Sequence, residues 1–104
     1  MISYHDVVQN LSANPRDIVT NPLTKRMGKW FYAYVDKGQI FVISAKEHFP
    51  KCSISIPRVL SEKEFDDIYE LYLLRGKGHS VSKRAAEVTR NQVYWYGIFN
   101  DIEK

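Results

Sequence analysis

Two runs rich in strand-forming residues, 29–35 and 39–45, are separated by only Asp36-Lys37-Gly38, and this constrains the chain more than any other feature. Aromatic and β-branched side chains fill both runs, and Gly38 suits the left-handed position of a short hairpin loop. A strand turns successive side chains to opposite faces. Trp30, Tyr32 and Tyr34 therefore share one face, and Phe31, Ala33 and Val35 the other. Cys52-Ser53-Ile54-Ser55-Ile56 also alternates, so it reads as a third strand with Cys52, Ile54 and Ile56 inward, ended by Pro57. The expected sheet is a three-stranded antiparallel meander.

Helical signals flank these strands. Ser3-Tyr4-His5-Asp6 has capping-box spacing, with Ile2 and Val7 placed for a hydrophobic staple and Val7, Val8 and Leu11 forming an apolar stripe. Asn14 followed by Pro15 reads as the cap and first position of another helical turn, reaching about Val19. Ser61 and Glu64 form a second capping box, ahead of Phe65, Ile68, Tyr69 and Tyr72 at helical spacing. Gly76-Lys77-Gly78 stops that helix. Val81, Ala85, Val88, Gln92, Trp95, Phe99 and Ile102 then recur at spacings of four and three, which predicts one long helix; Thr89-Arg90-Asn91 is the place where it would divide.

With 104 residues, 44% of them hydrophobic, the chain has enough apolar surface for one core and too little length for two. The expectation is a single α+β domain over residues 1–104. It has two layers, with an N-terminal helix and two C-terminal helices packed on one face of the meander. No run approaches the eighteen apolar residues of a membrane span, and the opening lacks the basic and apolar regions of a signal peptide, so a cytoplasmic protein away from the membrane is expected.

The chemistry-bearing residues form no complete catalytic set. Nucleotide-binding glycine loops and serine-hydrolase elbows are absent. His5, His48 and His79 are scattered without ligand spacing, and the single cysteine cannot support a Cys-rich zinc site, so neither metal nor cofactor is expected. A metal-dependent hairpin nuclease needs a carboxylate two residues before the lysine of its second strand; Ser44 stands there before Lys46, which leaves only Asp36 in the turn. A site built from Glu47, His48 and Cys52 is the one enzymatic alternative, set against the alternation that makes Cys52 part of an apolar face.

Charge is more informative. Residues 61–75 hold five acids against two bases, a balance of −3, which leaves +6 on the rest of a chain whose total is +3. On one continuous C-terminal helix, Lys83, Glu87, Arg90 and Tyr94 form an exposed row beside Arg84. Cations attract phosphate, and Tyr adds hydrogen bonding and stacking. The leading expectation is a non-enzymatic protein that associates with DNA or RNA through Lys83, Arg84, Arg90 and Tyr94, aided by Lys25, Arg26 and Lys29. The alternative is a protein-interaction or homodimerisation module that uses Trp30, Tyr32 and Tyr34, or the acidic helix, since Tyr and Trp are enriched at interfaces.

Overall fold

The computed structural model describes residues 2–22 and 27–103, so Lys25 and Arg26 lie outside them. The chain runs α1 (Tyr4–Ala13), β1 (Arg16–Val19), β2 (Trp30–Asp36), β3 (Gln39–Ser44), β4 (Arg58–Leu60), α2 (Glu62–Gly76), α3 (Ser82–Val88) and α4 (Gln92–Ile102). The α+β class and the antiparallel sheet match the sequence expectation, but the sheet has four strands in the order β1-β2-β3-β4.

Both corrections to the sheet come from proline-flanked segments. Residues 16–19 were expected to be helical, yet Asn14 ends α1, its N–H donating to the Asn10 carbonyl. Pro15 therefore follows a helix stop rather than opening a helix. Ile18 pairs with Phe31 and enters the core. Residues 52–56 do not form the third strand. Trp30 N–H donates to the Pro50 carbonyl and Cys52 N–H to the Trp30 carbonyl, both at 2.8 Å. Beyond that, the Ser44 hydroxyl takes the place of a strand partner: it accepts from Ile54 N–H at 3.0 Å and donates to the Cys52 carbonyl at 2.8 Å. Cys52 and Ile54 are buried as expected, whereas Ile56 is 75% exposed. The strand beside β3 is β4, after Pro57, pairing Val42, Phe41 and Ile40 with Arg58, Val59 and Leu60.

The hairpin forms in the expected place. Asp36 pairs with Gln39, and Lys37 and Gly38 both have positive φ, 52° and 78°, the geometry whose twist matches the flanking strands. The first helix also follows its cap: Ser3 Oγ accepts from Asp6 N–H, and Asp6 accepts from Ser3 N–H. In α2 the box is not reciprocal. Ser61 accepts from Lys63 N–H, while Glu64 reaches across to Trp95.

The expected long C-terminal helix is divided into α3 and α4. Thr89 is buried with extended backbone, and its hydroxyl accepts from Asn91 N–H at 2.9 Å, a local bond that competes with helix continuation. Asn91 in turn meets β4, receiving a bond from Arg58 and donating to the Val59 carbonyl. Three helices therefore follow the sheet, not two. Phe31, Ala33, Ile40, Val42 and Leu60 join Val7, Leu11, Phe65, Ile68, Trp95 and Phe99 in one core on the helical side. Gly97 lies so close to β1 that an added Cβ would stand 2.8 Å from the Val19 carbonyl oxygen.

Candidate interface on the open sheet face

Alternation leaves the second face of the sheet to Trp30, Tyr32 and Tyr34 of β2, Phe41 and Ile43 of β3, and Val59 of β4. Five are half-buried and Val59 is 43% exposed. None of them belongs to the core shared with the helices. The register places Tyr32 opposite Ile43, Tyr34 opposite Phe41, and Phe41 opposite Val59, so the patch is continuous across three strands. Tyr34 and Phe41 stack with ring centroids 5.5 Å apart and planes within 17°, and Tyr32 lies 6.0 Å from Tyr34.

The loop after β3 borders this patch. Lys46 Nζ sits 4.1 Å from the centre of the Tyr32 ring, and the His48 imidazole stacks on Trp30 at 4.1 Å. Asp17, on the same face of β1, holds that loop. Its carboxylate accepts from the backbone N–H groups of Lys46, Glu47 and His48 at 2.9, 2.8 and 3.1 Å. It also faces His48 Nδ1 at 2.8 Å; a carboxylate only accepts, so Nδ1 carries the proton. Burial raises the Asp17 pKa, but the His48 ring and the three backbone donors outweigh it and hold the group down to about 2. Nothing in the sequence singled out Asp17, because its partners lie about thirty residues away.

This pairing settles the geometry of the one enzymatic alternative. His48 turns to Asp17 and Trp30, while Cys52 is buried in the core. Burial pushes the Cys52 thiol pKa up, partly offset by the Lys29 ammonium, the reverse of what an activated nucleophile requires. Among the described residues there is no group of three or more His, Cys, Asp and Glu side chains able to hold a metal ion.

The residues expected to contact nucleic acid are dispersed. Lys83 and Arg84 project from the short α3, and Arg90 lies in the turn before α4, all three exposed. Arg84 and Lys63 line a groove of about 630 Å³ between α2 and α3 together with Glu64, Asp67, Glu70 and Glu87, and the excess of carboxylates there disfavours phosphate. The break at Thr89 turns Tyr94 inward, so the exposed row expected of a continuous helix is not formed. Tyr94 is only 8% exposed, its ring edge-to-face with Phe31 at 5.2 Å. Lys29 lines a different cavity, beside α4. Trp30, Tyr32 and Tyr34, by contrast, are brought together. No helix among the described residues is long and apolar enough to cross a membrane. Compared with known proteins, the chain matches no family model, no curated protein and no solved structure.

Proposed function

We propose that this protein is a non-enzymatic self-association module that pairs with a second copy of itself through the aromatic face of its sheet. The observation that carries the reading is where the ring faces point. Base stacking needs free π faces, yet Trp30 is stacked by His48, Tyr32 is covered by Lys46, and Tyr34 lies against Phe41. What these contacts leave for a partner is a continuous, largely apolar surface of Tyr32, Tyr34, Phe41, Ile43 and Val59, with one face of each tyrosine already taken, poor in charge at its centre and bordered by Lys46 and Glu47. That is the composition of a protein interface.

Two sheets can pack face to face in aligned fashion at ~10 Å, and in a two-fold pair each copy presents the same patch. Strand rise and spacing give the face a plan area of roughly 300 Å², well below the ~800 Å² per partner of a standard interface. The association is therefore weak and reversible, governed by concentration.

Sedimentation or light scattering over a concentration series tests this, with Tyr34→Lys placing a charge at the centre of the patch. The wild type dimerises as concentration rises; Tyr34→Lys stays monomeric with an unchanged helical and sheet signature. A wild-type monomer at about 1 mM, too weak for a specific contact, refutes it. So does a salt-sensitive quench of Trp fluorescence by a single-stranded oligonucleotide that requires Trp30, an outcome favouring nucleic-acid association.

A further inference from the structure

A groove of about 600 Å³ runs between the start of α1 and the outer side of α2, in the helical layer of the molecule. Contacts within the fold fix its walls. Tyr4 lies edge-on to Phe65 with ring centroids 6.0 Å apart, and Ile2 N–H donates to the Tyr69 hydroxyl at 3.5 Å. Tyr4 and Leu73 are both half-buried and leave apolar surface along the groove.

One rim of this apolar groove is acidic. Glu62, Asp66 and Glu70 recur every four residues along α2, all exposed, and no lysine or arginine lines the groove among the described residues. None of the three forms an ion pair with a described residue. The helix dipole accounts for Glu62 in the first turn, but its influence fades before Asp66 and Glu70. Like charges four residues apart oppose the helix that carries them, so the row weakens α2 until a cation meets it. A phosphate backbone or an anionic membrane is repelled there. A metal ion is no better served, since among the described residues no group of three or more His, Cys, Asp and Glu side chains is able to hold one. The acids are strung out instead: eight residues separate Glu62 from Glu70, roughly 12 Å along the axis. An extended charged row beside an apolar groove matches the way amphipathic helices dock.

We propose that this groove docks a basic amphipathic helix of a partner protein. The apolar residues of that helix seat against Tyr4 and Leu73, and its lysines or arginines, one turn apart, face Glu62, Asp66 and Glu70. The surface belongs to the helical layer, so it is separate from the aromatic face of the sheet.

Fluorescence anisotropy on the intact chain tests the proposal, with a labelled peptide of leucine and lysine patterned as an amphipathic helix of about five turns. A scrambled peptide of the same composition serves as the comparison. The chain as a whole carries +3, so net charge repels both peptides and binding requires the local acidic row. The patterned peptide is expected to bind saturably, with the scrambled one at least about tenfold weaker. Asp66→Asn combined with Glu70→Gln removes repulsion within α2, so the double variant melts no lower than wild type. Its affinity for the patterned peptide falls by about tenfold or more. The proposal is overturned if the patterned peptide does not bind by about 1 mM, if the scrambled peptide binds as well, or if the double variant binds like wild type. Loss of self-association by the double variant without peptide would assign the groove to a second copy of the chain, and overturns it equally.

Discussion

Trp95 donates its indole N–H to Glu64 Oε1 at 3.1 Å, tying the middle of α4 to the first turn of α2 across the core. The Trp95 side chain is fully buried, stacked with Phe99 and edge-on to Phe65. Its one polar atom therefore depends on a residue that the local sequence assigns to a helix cap.

Glu64→Leu orphans that N–H, and urea unfolding should report a loss of about 1–3 kcal/mol. Glu64→Gln retains a carbonyl acceptor and should lose less than about 1 kcal/mol. Equal losses for the two variants would remove the hydrogen bond from the explanation.

Gly97→Ala should destabilise, although alanine is the better helix former by about 1 kcal/mol. The new Cβ would meet the Val19 carbonyl oxygen at 2.8 Å and the Phe31 ring at 3.1 Å, and a backbone oxygen cannot swing aside. Overpacking of this kind costs about 2–3 kcal/mol, readable as a lower melting temperature. A variant that melts higher would show that α4 can shift away from β1.

Asp17 sets an acid limit on stability. Its pKa of about 2 in the fold lies below the ordinary 3.8, so the folded state favours the ionised form. The contribution is complete above about pH 4, is lost as the pH falls through 2, and amounts to about 2 kcal/mol at neutral pH. Asp17→Asn should remove it and make the fall in stability between pH 4 and about 2 shallower, leaving the part due to Asp6, which the Ser3 cap also holds below its ordinary pKa. An unchanged acid profile would mean that the loop is held by other bonds.

Lys37 occupies the left-handed region with φ 52° and is exposed in the turn. Lys37→Asn, a residue that tolerates this conformation, should stabilise by about 0.5–1 kcal/mol in denaturant titrations. A loss would point to an interaction of the lysine that outweighs its backbone cost.

Where signal and structure were both local, the sequence was readable. Ser3 and Asp6 close α1 within four residues, and Gly38 closes the hairpin between two aromatic strands. Errors arose where one local pattern has two meanings. Asn14-Pro15 serves equally as the end of a helix or its beginning, and only the pairing of Ile18 with Phe31 decides. Thr89 fits a helical repeat by spacing, but its hydroxyl and the docking of Asn91 on β4 break the helix there. That break reverses the expected role of Tyr94. Alternation alone put Trp30, Tyr32 and Tyr34 on one face, but whether helices cover that face was not legible, because packing under helices is the commoner fate of such residues. Asp17, His48 and Lys46, which border it, were not, because contacts between distant segments leave no periodic trace.

The outer strands of the sheet are short, four residues in β1 and three in β4. Each rim leaves only a few backbone groups unclaimed, a poor template for adding one chain after another. Growth into fibres by edge-to-edge strand addition is thus disfavoured, whatever the broad faces of the sheet meet.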